Sequence, residues 1–236
     1  MRGYTSSYSG AWRRMGMFEG YGRRSALHRY PATVVLILIN FAFYAYESYL
    51  SGSFISITPS ALIKAGAQIN ACINGCAIIQ LYSGYTLCCH QWWRLITSMF
   101  VHMNLMHIGL NMFWLFYLGA QLEPVVGTKR FLLTYFSAGL LGNVLSLYML
   151  GPVTISGGAS GAIFGVAGAL IMIGGVLGRN LTMAIANAVF LFLLNSWMQG
   201  VNVFAHFGGM VAGLVLGYIY GKEIKRKMQD MSLWFG

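Results

Sequence analysis

The stretch "GGASGAIFGVAGALI" (residues 157–171) holds one hydroxyl, that of Ser160, among glycines and alanines. A serine beside a neutral histidine can pass its proton to the ring while its oxygen attacks a carbonyl carbon, and His206 is the candidate base. His107 and Asn111 lie four residues apart, on one helix face, where both can donate hydrogen bonds to the developing oxyanion. The backbone N–H of Ser160, at a helix start, adds a further donor. These residue types indicate acyl transfer.

The elements that must position these residues are membrane helices. The 236 residues are 57% hydrophobic and 8% charged, with a mean hydropathy of +0.64. A soluble domain would carry about a quarter charged residues. The apolar stretches predict an all-α membrane protein of six spans. The predicted spans are Thr33–Tyr49, Leu105–Leu122, Arg130–Leu150, Ala159–Leu177, Leu181–Met198 and Val203–Tyr220. The more polar stretch Ala61–Tyr82 is assigned to a long outer loop over about residues 51–104.

The basic residues predict the topology. Six spans place all of them except Lys64 and Arg94 on one side of the membrane, so the positive-inside rule puts both termini in the cytoplasm. The expected organisation is a basic N-terminal tail (residues 1–30), a membrane domain (31–221) and a basic C-terminal tail (222–236).

The net charge of +10 is explained by this topology, and the basic tails suit contact with anionic membrane lipids. Nucleic acid is therefore not expected as a partner. The predicted location is the cell membrane. The Arg- and Ser-rich N-terminal tail, with one acid (Glu19), leaves the mitochondrial inner membrane as the alternative.

In this topology the second, fourth and sixth spans run from the outer face inward. His107, Ser160 and His206 then lie within about the first turn of their spans, and Asn111 lies one turn deeper. A polar side chain inside lipid needs a partner or a function. A lone membrane histidine is more often a hydrogen-bonding residue than a catalyst, but two histidines, an asparagine and a serine at one depth favour a site.

Small residues predict which helices meet. The fourth span has Gly157, Gly161, Gly165 and Ala169 at every fourth position, and the sixth repeats glycine at the same interval from Gly209 to Gly221. Such faces allow two helices to approach to backbone contact. Tight packing alone would explain the pattern. Packing of these two spans also brings Ser160 towards His206.

A third group usually orients the histidine of a serine nucleophile. Of the five acids in the chain, only Glu47, near the outer end of the first span, lies at the right depth. The simplest interpretation is a Ser–His dyad without an acid. Phe164, one turn after Ser160, can stack on His206 and hold the ring instead.

All four cysteines lie in the outer loop, and they allow three complete pairings. A bridge from Cys72 or Cys76 to Cys88 or Cys89 would staple the loop, and free thiols are the alternative. The vicinal pair and the lack of a histidine at ligand spacing argue against zinc. Nothing in the sequence implies a metal or an organic cofactor.

Four motifs together resemble the rhomboid family of intramembrane serine proteases. The Gly-x-Ser-Gly signature corresponds to residues 158–161, and the histidine with its glycine stripe to "AHFGGMVAGLVLG". The family's spaced histidines and asparagine correspond to "VHMNLMHIGLN", and its Trp-Arg pair to Trp93 and Arg94 in "QWWRLITSMF". Glu123, after "YLGAQL", matches the acid at the end of the second span. The resemblance covers about residues 91–221.

The resemblance implies a six-helix protease, without cofactor, that cuts single-pass membrane proteins. It makes Ser160 the nucleophile and His206 the general base. His107, Asn111 and the Ser160 N–H would form the oxyanion hole.

The resemblance also implies supporting residues. Gly158 belongs to the serine motif, and His102 matches a structural position. Phe164 replaces a tyrosine that many relatives place against the catalytic histidine, which loses a hydroxyl and keeps the stacking. A mobile cap is expected at residues 199–204, with the fifth span as a lateral gate.

Two other functions remain open from sequence. One is a catalytically silent rhomboid-like protein that binds membrane clients, although silent relatives usually lack the serine or the histidine. The other is a small transporter or channel, which would predict intramembrane charges or inverted repeats, and neither is visible. Oligomeric state is not indicated.

Overall fold

A helix lies in each of the six predicted spans in this computed structural model, which describes residues 26–81, 84–196 and 201–234, so that the last two residues of the fifth predicted span lie outside it. In chain order the helices are α1 (Ala26–Arg29), α2 (Pro31–Ser51), α3 (Pro59–Ala65), α4 (Asn70–Asn74), α5 (Arg94–Thr97), α6 (Leu105–Val126), α7 (Thr128–Met149), α8 (Ser160–Leu177), α9 (Leu181–Ser196) and α10 (Val203–Trp234). The strands are β1 (Gln68–Ile69), β2 (Cys76–Leu81), β3 (Gly84–Cys89) and β4 (Ile155–Ser156).

Four of these helices are long and apolar enough to cross a membrane. They are α2, α7, α8 and the stretch Val203–Ser232 of α10. Helix α9 has a shorter apolar stretch, Leu181–Leu194. Helix α6 is 22 residues long but carries His107, Asn111 and Glu123.

The last helix is longer than the predicted span, which ended at Tyr220. Glu223 forms ion pairs with Arg130 of α7 at 2.8 Å and, one turn further along α10, with Lys227 at 3.1 Å. A Glu followed by a Lys at i+4 stabilises a helix. Residues 222–234 of the predicted tail therefore continue α10.

The chain is mostly helical, as the sequence predicts, and the outer loop is folded and adds short strands. Besides α3, α4 and α5, the loop carries the antiparallel β2–β3 hairpin, in which Cys76 faces Cys89. Strand β1 pairs with β4, which lies just before α8, through Gln68 and Ser156. Disulfides join Cys72 to Cys88 and Cys76 to Cys89. The sequence predicts this loop but not its elements, because each is too short to show a helical or membrane period.

Helices α8 and α10 touch through their backbones, as the small-residue faces predict. A Cβ atom on Gly209 would collide with the carbonyl oxygen of Gly161, and one on Gly213 with that of Gly165. A Cβ atom on Gly217 would lie 2.5 Å from the Ala169 carbonyl oxygen. Three successive turns of α10 are thus seated directly on α8.

Substitution of Gly213 tests this contact. Gly213→Ala would place a methyl group on the Gly165 carbonyl, so we expect a melting temperature several degrees lower in detergent. Gly174→Ala in α8 is the matched control, because nothing lies within 4 Å of its Cβ position. That control should melt at the wild-type temperature or slightly above, since alanine favours a helix more than glycine does. Equal melting of both variants would contradict the close packing.

Candidate active site

Ser160 is the first residue of α8, and its Oγ lies 2.9 Å from Nε2 of His206. His206 stands in the first turn of α10, so the glycine contacts that join the two helices begin directly beside this pair. The Phe164 ring stacks on the imidazole, with ring centroids 4.1 Å apart and an interplanar angle of 18°. The stack fixes the plane of the imidazole ring, and Nε2 points towards the Ser160 hydroxyl.

No carboxylate orients His206 within the part of the chain that the structure describes. Its Nδ1 is buried and has no hydrogen-bond partner there. Glu47, the one acid at a suitable depth, instead accepts the backbone N–H of His102 at 3.0 Å. The ring is therefore held by stacking and burial.

His107 and Asn111 converge on the backbone just before Ser160. A Cβ atom on Gly158 would lie 2.8 Å from His107 Nε2 and 3.7 Å from Asn111 Nδ2. Gly158 also has a φ of +133°, a conformation that side chains disfavour. Glycine is thus required here for two reasons, the backbone angle and the space that the two polar side chains occupy.

The hydrogen bonds around His107 indicate which ring nitrogen carries the proton. The Met103 N–H donates to His107 Nδ1 at 3.4 Å, so in the neutral ring the proton lies on Nε2, the nitrogen nearest Gly158. Asn104 caps α6 by accepting the His107 N–H at 2.8 Å, which fixes the start of the helix. His107 therefore presents an N–H donor to this space.

Asn111 presents a second donor. Its Nδ2 is buried and has no hydrogen-bond partner in the described residues. A buried donor without a partner costs about 1–3 kcal/mol, so such groups are rare unless a ligand supplies the acceptor. The space between Gly158, His107 and Asn111 suits an oxygen atom that carries negative charge.

His102 supports this arrangement and does not face Ser160. The fully buried ring places Nδ1 3.1 Å from the Phe100 carbonyl oxygen, and it meets the His107 ring edge to face at 5.0 Å. The Glu47 carboxylate of α2 accepts the His102 backbone N–H, and the His102 ring contacts the His107 ring. His102 therefore links α2 to His107. Sequence reasoning considered Glu47 only as a partner for the catalytic histidine, and its contact with a loop N–H has no sequence signal.

Asn202 is a second residue whose position sequence reasoning missed. It was assigned to a mobile cap over residues 199–204, of which 199 and 200 lie outside the described residues. Asn202 accepts the Ala205 N–H at 3.0 Å and donates to Ser156 Oγ at 2.7 Å. It also shares hydrogen bonds with Ser146 of α7. An asparagine whose side-chain oxygen accepts the N–H three residues later is a helix N-cap, and here it anchors the turn that carries His206.

Two other motif residues are architectural. Arg94 is buried and donates to the carbonyl oxygens of Ile63 at 2.9 Å and Ala67 at 2.7 Å, which ties α5 to the α3 end of the outer loop. Glu123 accepts the N–H groups of Ala32 and Thr33 at the start of α2. A carboxylate there satisfies free helix amides and meets the positive end of the helix dipole.

In this helical membrane protein a serine and a histidine are paired where two glycine-packed helices begin, a geometry that suits an intramembrane hydrolase. The rhomboid domain family profile matches residues 89–223, more than half of the chain. This chain belongs to the rhomboid family, and it is a multi-pass membrane protein. The match agrees with the span of about residues 91–221 over which the motifs indicate the resemblance.

Several curated relatives are similar to more than half of this chain. Rhomboid-like protease 3 of Toxoplasma gondii is 36% identical over 153 residues, which are 61% of this chain and 56% of the relative. The mitochondrial RHOMBOID-like protein 6 of Arabidopsis thaliana is 35% identical over 60% of this chain and 46% of its own length. A putative rhomboid protease of Bacillus subtilis (strain 168) is 32% identical over 58% of this chain and 71% of its own length. The chain thus spans about half the length of the first two relatives.

Substitutions at Glu47 test the link through His102. Glu47→Leu removes the acceptor of a buried N–H, so we expect a loss of about 1–3 kcal/mol in unfolding free energy. Glu47→Gln keeps an acceptor oxygen of the same shape and should lose much less. Thermal unfolding in detergent measures both, and labelling of Ser160 by a fluorophosphonate probe reports on the site. Equal stability and labelling of the two variants would contradict the link.

Proposed function

We propose that this chain is an intramembrane serine endopeptidase that uses a Ser160–His206 dyad. Its substrates are membrane proteins with a single transmembrane segment, cut in or near that segment. The observation that carries the proposal is the 2.9 Å approach of Ser160 Oγ to His206 Nε2 beside two N–H donors that converge on Gly158. The protease names of several relatives support the same activity.

Acylation begins when Ser160 Oγ attacks the scissile carbonyl carbon and His206 Nε2 accepts the hydroxyl proton. The negative oxygen of the tetrahedral intermediate is stabilised by His107 Nε2–H, by the Asn111 amide and by the Ser160 N–H. His206 then donates its proton to the leaving amine as the C–N bond breaks.

A water molecule completes the reaction by attacking the acyl-enzyme carbonyl while His206 accepts its proton. When the intermediate collapses, the proton returns to Ser160 Oγ and the acid product leaves. The N–H carried by His206 Nδ1 has no carboxylate partner among the described residues, so stacking on Phe164 and burial maintain the ring orientation throughout.

The proposal includes six membrane crossings with both termini in the cytoplasm, so Ser160 opens towards the outer side. Helix α9 is the proposed lateral gate. It packs on its neighbours with Ala184 and Ala188, which are buried, while Ile185 and Val189, the residues that follow them, are about half exposed. Residues as small as alanine give α9 a shallow contact, and separation there would admit a substrate helix.

Cleavage of a fluorogenic model transmembrane substrate in detergent tests the dyad. Wild type should cleave, and Ser160→Ala and His206→Ala should each lower kcat by about 10³-fold or more with unchanged melting temperature. Inactivity of a folded wild type towards several substrates would favour the silent client-binding function. Activity retained in Ser160→Ala would show that Ser160 only serves packing.

Asn111→Ala tests the second oxyanion donor. Loss of one such donor lowers kcat by about 10²–10³-fold, and KM should change little because the hydrogen bond strengthens in the transition state. Asn40→Ala is the matched control, since Asn40 is also a buried membrane asparagine but donates to Leu36 within its own helix. Similar kcat losses in both variants would indicate a structural role for Asn111.

A further inference from the structure

A basic cleft lies at the opposite end of the bundle from Ser160. It has a volume of about 690 Å³ and is bounded by the end of α8, the α8–α9 connection and the second half of α10. Val176 lines the cleft near the end of α8, and Ser160 begins the same helix, so about 24 Å of helix separates the two sites. The cleft is therefore independent of the catalytic proposal.

The cleft is lined by four cationic side chains, Arg179, Lys222, Lys225 and Arg226. The one acid that lines it, Glu223, already pairs with two cations outside the cleft. In the described part of the chain, Arg179 and Arg226 have no hydrogen-bond or ion-pair partner. The cleft therefore has an excess of positive charge that an anion would compensate.

The two lysines are positioned by contacts with the walls of the cleft. Lys225 Nζ donates to the Val176 carbonyl oxygen at 3.2 Å, at the end of α8, where no further turn supplies an N–H donor. Lys222 Nζ lies 5.1 Å from the centre of the Tyr218 ring. Both ammonium groups are thus held near the two free guanidinium groups, in an arrangement that suits a phosphate.

An apolar stripe leads from the middle of α10 to the cleft. Val211, Val215 and Tyr218 lie on one face of the helix at i, i+4 and i+7, and Lys222 continues that face. All three are exposed, by 37%, 55% and 39% respectively, within the stretch that can cross a membrane. An acyl chain can lie along this stripe while its headgroup occupies the cleft.

We infer that this cleft binds the phosphate headgroup of an anionic phospholipid from the leaflet on that side of the membrane. Basic clefts between helices at a membrane surface suit such headgroups. A free phosphate offers the same anionic chemistry without a chain. The apolar stripe that ends at Lys222 favours the lipid.

The test is lipid binding to the full-length chain in detergent, followed by native mass spectrometry. Dioleoylphosphatidic acid is the probe, and dioleoylphosphatidylcholine is the chain-matched lipid with a neutral headgroup. Phosphatidic acid should bind wild type more tightly, and Arg179→Gln/Arg226→Gln should weaken its binding about tenfold or more. Lys129→Gln is the control, because Lys129 is an exposed cation of α7 outside the cleft. This variant should bind phosphatidic acid as tightly as wild type does.

Three results would overturn the inference. One is equal binding of the two lipids by wild type. Another is an equal effect of the double variant and Lys129→Gln, which would indicate non-specific attraction. The third is displacement of phosphatidic acid by a modest excess of inorganic phosphate, which would make free phosphate the ligand. Both exposed arginines can be replaced without burying a polar group, so melting temperatures should match wild type; if the double variant melts lower, Arg226→Gln alone provides the comparison.

Discussion

The contact between the backbones of α8 and α10 is the constraint on which the rest of the structure depends. Where carbonyl oxygens of one helix fill the Cβ positions of the other, the helices cannot slide or rotate without collision. The register of this contact determines where Ser160 and His206 meet. Two side-chain hydrogen bonds also join the helices, Ser160 to His206 at one end of the contact and Lys225 to Val176 at the other. The positions with no side chain are therefore as important to the candidate site as Ser160 and His206 themselves.

The positions of His107 and Asn111 depend on a different set of contacts. His107 and Asn111 belong to α6, which the outer loop and α2 hold in place. Asn104 caps the helix, and Glu47 fixes the turn before it. The disulfides and Arg94 stabilise the loop itself. An outer loop of this kind gives rigidity to α6, whose polar residues weaken its own preference for lipid.

Sequence predicted the parts of this structure that rest on periodic patterns. The every-fourth-residue glycines predicted the α8–α10 contact, and the one-turn spacing of Phe164 from Ser160 predicted a ring that reaches His206. Hydropathy located all six long helices to within a few residues, apart from the end of α10.

Periodic patterns do not predict contacts between residues that are distant in the chain. Glu47 meets a backbone N–H of residue 102, and a main-chain donor has no sequence signature. The outer loop consists of elements too short for a period, and the pairing of four cysteines is not determined by their spacing. Asn202 is the exception. An asparagine directly before a predicted helix is typical of an N-cap, although the sequence analysis places this residue in a mobile cap.

The most direct test of the central claim is to map the residue that a fluorophosphonate probe modifies in wild type and in Gly209→Ala. Gly209 faces the Gly161 carbonyl, one residue beyond Ser160, and it has no reactive group of its own. The account predicts an adduct on Ser160 in wild type and much slower labelling in folded Gly209→Ala, because the added methyl group separates Ser160 from His206. An adduct on a different serine, or equal labelling of the two folded proteins, would contradict it.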